Sequence, residues 1–347
     1  MKFSESECGT SRLGGVSLVS TQPREHGCCP RVDYHTRPVR SAPPRGGVSG
    51  ILSGMNPSPP IHVPVLPTEV LQWIDPQPGQ IIVDGTLGGG GHTRMLAERL
   101  QGEGFVLSLD RDPRAIAAAE RNLAGLPVKI AQSNYCDMAD VLREIDVPAV
   151  DAVLLDIGLS SDQLADRERG FSFDSDGELD LRFNTDEGLP AWQLLQRLKE
   201  NEIADLIYQF GEERFSRRIA RRIVEARTSG QPIRTSAALA DLVRRSVPRT
   251  EQRIDPATRT FQALRIAVNR ELESLALGLQ RIPDLLKPGG KLAIISFHSL
   301  EDRPVKKAFR NDPRLEALTK KPIVASEAEL AQNPRSRSAK MRVARRR

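Results

Sequence analysis

Gln80 to His92 reads QIIVDGTLGGGGH. Ile81-Ile82-Val83 is a short β-branched apolar run that fits a buried strand, and it ends on Asp84. Four glycines, Gly88 to Gly91, then remove every Cβ where the chain must turn into a helix over Thr93 to Leu100. A ligand can approach such a backbone closely. Strand, glycine turn and helix open a doubly wound α/β sheet, whose ligands sit beyond the carboxyl ends of the strands.

The flanking sequence extends the pattern. A second strand, Gly104 to Leu109, ends on Asp110, about 20 residues past the glycines, where an acid can accept both hydroxyls of a ribose. NAD, FAD and S-adenosylmethionine all carry that diol. The glycines are not spaced G-x-G-x-x-G, and no Gly-Lys-Ser/Thr follows, which argues against a P-loop and leaves a dinucleotide enzyme as a competitor. The bland alternative is a turn that only packs a helix on a sheet. Asp112-Pro113 reads as N-cap and first helical position. Val128 to Ile130 reads as a third strand, after which Tyr135 either lies along an adenine or packs in its loop. Val150 to Leu155 is a fourth strand ending on Asp156, so Asp84, Asp110 and Asp156 are expected to converge on one crevice.

The 347 residues carry a net charge of +5, which suits a polyanionic partner, and the distribution is uneven. Arginines crowd Arg214 to Arg249 against only Glu225 and Asp241, and Arg335 to Arg347 contains no acid. A solvated helix face is the plain alternative for any one arginine. Cys8, Cys28, Cys29 and Cys136 form no disulfide framework and no zinc spacing. No metal site is expected, and a reducing, cytoplasmic setting is. No run approaches the roughly 18 apolar residues of a membrane span.

Residues 1–60, rich in Gly, Ser, Pro and Arg, are expected to be disordered, and Met55 is a candidate translation start. Residues 61–162 and 261–347 are assigned to the sheet domain and 163–260 to a helical insertion, because strand–helix alternation stops after Gln163. Helices are expected over Ala191–Leu198, Glu202–Tyr208, Glu213–Arg227 and Ser236–Val247, with Thr68 and Ser236 as caps. Phe215, Ile219, Ile223 and Ala226 keep one face of the third apolar, while Arg214, Arg217, Arg218, Arg221 and Arg222 occupy much of the rest. A long helix Phe261–Leu286, a strand Lys291–Phe297 and an edge strand Ser338–Ala344 complete the pattern.

Together DGTLGGGGH, LDRDPRAI, LLDIGLSS with Gln163, RGFSF, GEERFSRRIARRIV, ATRTFQALRIAVN and ISFHSLEDR resemble the bacterial MraW/RsmH family, from about Ile61 to the C-terminus. The resemblance implies a class I methyltransferase (Rossmann-like) α/β fold with an inserted helical domain. It also implies S-adenosylmethionine as cofactor and methylation of the exocyclic N4 of a cytidine at the decoding centre of small-subunit ribosomal RNA. Cofactor contacts are implied at Gly90, Gly91, His92, Asp110, Tyr135, Asp156 and Gln163. Tyr135 departs from the phenylalanine frequent in relatives.

The Asn/Asp-Pro-Pro-aromatic motif of many amino-methyltransferases is absent, since Asp156-Ile157-Gly158-Leu159 stands there. Asp156 is the candidate catalytic acceptor, with a main-chain carbonyl of that loop as alternative. His298 is read as structural or pocket-facing, and Phe171 and Phe173 either cover a flipped base or pack under the insertion. Ribosomal RNA or a 30S-type subunit is the expected partner, with no membrane, and a homodimer is left open. An NAD-dependent oxidoreductase and a non-enzymatic RNA-binding assembly factor are the rival readings.

Overall fold

Residues 64–248 and 255–347 are described by the structure, a computed structural model; the expectations for residues 1–60 and for Met55 lie outside them. Seven strands form one sheet: β1 (Ile81–Asp84), β2 (Phe105–Asp110), β3 (Val128–Gln132), β4 (Val150–Asp156), β5 (Leu286–Ser296), β6 (Leu315–Ala317) and β7 (Lys340–Arg346). Their order is β3-β2-β1-β4-β5-β7-β6, parallel from β3 through β5, with β7 antiparallel to both of its neighbours. This is the doubly wound sheet of the class I methyltransferase fold, and its order reverses between β1 and β4, where a crevice opens.

Neighbouring residues of a strand bury on opposite faces. Val83, Leu107, Val153 and Leu155 enter one core, whereas Ile82, Val106, Leu154 and Ile295 enter the other. The flanking helices are α1 (Pro67–Ile74), α2 (Gly91–Arg99), α3 (Pro113–Asn122) and α4 (Met138–Glu144), followed by the short α5 (Ser161–Ala165). Asp112 caps α3 as expected, its side chain accepting from Arg114 N. Thr68 does not cap α1; Leu66 does, in the left-handed region, with Thr68 inside the first turn.

The helical body contains α6 (Ala191–Arg197), α7 (Glu200–Gly211), α8 (Ser216–Thr228) and α9 (Ser236–Ser246). Its separate core runs from Phe171 and Leu179 through Ile219 and Ile223 to Phe261 and Leu264. Thr235 rather than Ser236 caps α9; Ser236 Oγ is occupied by Gly170 O at 2.6 Å.

The expected long helix from Phe261 is two helices, α10 (Thr258–Asn269) and α11 (Glu271–Leu285), broken at Arg270 with φ 53°. The proposed boundary at residue 260 therefore falls inside α10, whose Phe261 and Leu264 belong to the helical core. The periodicity continues across the break, so sequence could not show it. α12 (Ser299–Asn311) and α13 (Glu327–Gln332) follow. β7 is not an edge strand, because β6 covers its outer side.

Candidate active site

A cavity enclosing about 1040 Å³, open mouth included, lies beyond the carboxyl ends of β1, β2 and β4. Gly85, Thr86, Leu87, Gly88, Gly89 and Gly91 form its floor on the β1 side. A Cβ on Gly85 would stand 2.4 Å from Leu155 Cδ2 and 3.0 Å from Tyr135 Cβ, so a side chain there would have to displace the buried Leu155. Gly88 and Gly90 have φ of 48° and 78°, which glycine adopts at little cost. Gly90 caps α2 without lining the cavity, so its contribution is conformational.

Of the three strand-tip acids, Asp110 and Asp156 line the cavity and Asp84 does not. Asp84 is fully buried, and its oxygens accept from Thr86 N at 3.1 Å and Thr93 Oγ1 at 2.8 Å. The turn itself consumes that carboxylate. Asp110 Oδ2 accepts from Gly88 N at 2.8 Å and Oδ1 from Asp112 N at 2.9 Å. Burial outweighs these bonds and pushes its pKa up to about 6.

Asp156 is fixed from behind, its own N–H donating to Thr86 Oγ1 at 2.7 Å, while Gly158 N reaches its Oδ1 at 3.4 Å. Burial raises its pKa, against the opposing pull of His92. His92 Nε2 lies 2.8 Å from Val65 O, to which it donates, and Nδ1 lies 3.7 Å from Asp156 Oδ2. The imidazole is thus held between the lead-in segment and the β4 tip. Gln163 lines the wall from α5: Oε1 accepts from Ser160 N at 3.1 Å, and Nε2 lies 3.5 Å from Asp112 Oδ2. Tyr135 also lines the cavity, its ring beside Gly278 of α11, where an added Cβ would meet Cε2 at 3.0 Å. Burial, then the Glu271 and Glu301 carboxylates, raise its hydroxyl pKa.

Several lining residues escaped the sequence reading. Phe183 faces the cavity, whereas Phe171 and Phe173 do not. Phe171 is a core residue stacked 6.0 Å from Phe183, and Phe173 stands edge-on to Phe261 at 4.8 Å. Asn269 places Phe183: its Oδ1 accepts from Phe183 N at 2.8 Å, and its Nδ2 donates to Leu181 O at 2.7 Å. Glu271 and Glu301 line the far wall, and Arg265 holds Glu271 through two bonds of 2.8 and 2.9 Å.

The Asn269 and Arg265 signals lay in ATRTFQALRIAVN, but nothing local shows what those side chains reach. His298 does not line the cavity; it caps α12, with Nε2 3.0 Å from Glu301 Oε1. Three arginines of the basic tail are paired within the protein, Arg342 with Asp302 in a buried pair, and Arg345 with Glu316 and Arg346 with Asp284 nearer the surface. Among the described residues no helix is long and apolar enough to cross a membrane.

The side-chain-free turn, Asp110 at the β2 tip and a cavity at the switch point fit an adenosine-type cofactor. Fold and site together define a Rossmann-like enzyme for an adenosine-type cofactor, and the family match makes it an S-adenosylmethionine-dependent methyltransferase. The sequence profile of the MraW methylase family matches residues 60–347. Ribosomal RNA small subunit methyltransferase H of Rhodopirellula baltica is 51% identical over 296 residues, 82% of this chain and 91% of that protein. The enzyme of the same name from Deinococcus radiodurans is 50% identical over 302 residues, covering 86% and 95%, and that from Geobacter sulfurreducens 48% over 305, covering 82% and 98%. The chain belongs to the MraW methylase family.

Proposed function

We propose that this protein methylates the exocyclic N4 of a cytidine at the decoding centre of small-subunit ribosomal RNA. The observation that carries the chemistry is Asp156, a carboxylate buried at the β4 tip inside the cavity, with a raised pKa. When bound, S-adenosylmethionine supplies a methyl group already activated on a sulfonium. The glycine turn receives its amino-acid end, Asp110 its ribose hydroxyls, and Tyr135 and Gln163 its adenine side. His92 orients the β4 tip against Val65.

A cytosine amine is a poor nucleophile because its lone pair is delocalised into the ring. Asp156 would accept one N–H, localise the lone pair and take up that proton as the methyl group leaves the sulfonium for the nitrogen. A raised pKa makes the carboxylate a better acceptor. Phe183 offers an aromatic face for the base, which must be extruded from its RNA to reach this depth.

In this reading residues at the strand ends, with Gln163 of α5, hold the cofactor, and the helical body attracts the RNA at large. Arg217, Arg218 and Arg221 are exposed on α8, Arg221 with its Nε 3.9 Å from Glu200 Oε1, whereas Arg222 is engaged with Arg245 O at 3.0 Å and Arg214 lies over the Phe215 ring. The exposed three supply phosphate attraction, which weakens with salt.

Mapping nucleotide modification in small-subunit RNA from cells with and without the gene tests the proposal. Loss of one N4-methylcytidine on deletion is expected, and an unchanged modification pattern would overturn it. Replacing Arg217 and Arg218 by alanine is expected to lower the salt slope of subunit binding by about two while leaving cofactor affinity alone. Transfer of no labelled methyl group to subunits from the deletion strain would favour an assembly factor.

A further inference from the structure

Arg335 stands apart from the rest of the basic tail, because it lines the cavity. It is carried by the stretch 326–338, which starts at the Ser326 cap of α13 and ends in a 3-10 turn, Pro334–Ser338. Glu329 latches that stretch to the lead-in segment, its Oε1 accepting from Leu66 N at 2.7 Å. Ser336, next to Arg335, is buried, so the turn is anchored rather than trailing in solvent. The Arg335 guanidinium donates to Leu159 O, in the loop that follows Asp156. It is half-buried in the field of Asp156 and Asp162, and burial holds its pKa below the ordinary arginine range.

This places a partly desolvated cation beside the β4 tip, where the accepting amine must arrive. In the reading above the cofactor's adenosine end is served by Asp110 and Tyr135, beyond β2 and β3, with Gln163 of α5. An arginine fork suits a phosphodiester, whose paired oxygens it meets in a plane. We infer that Arg335 grips a backbone phosphate of the nucleotide presented to Asp156, which makes the C-terminal turn part of the substrate site. The inference rests on the ribosomal RNA reading above. Arg335 thereby fixes the register of the target nucleotide, while the α8 arginines act on the RNA at large.

The test is steady-state methyl transfer to undermethylated small subunits over a range of salt, with cofactor affinity measured separately by calorimetry. Arg335→Gln is expected to raise KM about tenfold and to reduce the salt slope of 1/KM by about one, with cofactor Kd within about twofold of the parent. Arg335→Lys keeps the charge and is expected to retain the slope. Arg337→Gln, two residues on and exposed, removes the same charge outside the cavity and is expected to change KM less than about twofold.

A merely structural clamp on Leu159 would lower thermal stability or cofactor affinity and leave the salt slope intact, and that result overturns the inference. A rise in cofactor Kd with unchanged KM would identify the cofactor's carboxylate as the partner and overturn it equally. Equal effects of Arg335→Gln and Arg337→Gln would reduce Arg335 to general tail charge. A parent protein that transfers no methyl group to subunits would instead remove the ribosomal reading itself, whatever the variants do.

Discussion

Lowering the pH from 7.5 to 5 is expected to weaken cofactor binding through one side chain. Asp110 titrates at about 6 in the free fold, against an ordinary 3.8, because burial outweighs the N–H bonds from Gly88 and Asp112. In the proposed function a ribose diol donates to the ionised carboxylate, so below pH 6 binding must first expel a proton. With a free-state pKa of about 6, Kd at pH 5 is raised about tenfold, ~1.4 kcal/mol, and at pH 7.5 it is scarcely affected. Near pH 6 about half a proton leaves per cofactor bound.

The sign for stability is opposite to that of a salt-bridged acid. The folded pKa exceeds the unfolded one, so this group's stabilisation of the free protein is complete below about 3.8 and lost as pH rises through about 6. The thermal shift produced by cofactor is therefore expected to grow between pH 5 and 7.5. Calorimetry in buffers of different ionisation enthalpy measures the proton directly. Asp156 and Glu271 are also raised by burial, so Asp110→Asn is the control: it is expected to bind more weakly and to flatten the profile. A parent Kd constant from pH 5 to 7.5, with no proton released at pH 6, would refute the reasoning.

Asp156→Asn is expected to lower kcat ~100-fold or more while cofactor Kd moves only a few-fold, and near-parental turnover would take the acceptor role from this residue. Asn269→Ala strands Phe183 N and Leu181 O inside the protein and is expected to cost about 3 kcal/mol, read as a lower midpoint in urea. Gly278→Val pushes atoms against the Tyr135 ring, which already lies 3.0 Å from a modest Cβ at that position. Cofactor affinity is expected to fall about tenfold with a stability loss of about 1–3 kcal/mol, and unaltered binding would show that Tyr135 is not a wall of the site.

Much of the site was legible because its signals are local. A β-branched run ending on an acid, glycines at a turn that needs positive φ, and an Asp-Pro cap are all set by neighbours in sequence. They located β1 to β4, the Asp112 cap and the cavity-lining Gly91, Asp110 and Asp156; Tyr135 stayed open between adenine and loop packing, and His92 and Gln163, which also line the cavity, were implied only by the family resemblance. Asp84 misled for a reason of the same kind. A strand-tip acid advertises ligand binding equally well when its own turn uses up both oxygens.

Tertiary structure alone decided what closes the cavity and which charges stay available. Phe183 faces it because Asn269, 86 residues away, holds its backbone, and Arg335 reaches Leu159 across 176 residues. The C-terminal arginines look like a polyanion-binding tail in one dimension; in three, antiparallel pairing of β7 carries them onto Asp302, Glu316 and Asp284. Periodicity and caps report a residue's neighbours along the chain. The partner that satisfies a buried polar or charged group is chosen by packing between elements, and it is printed in no single stretch.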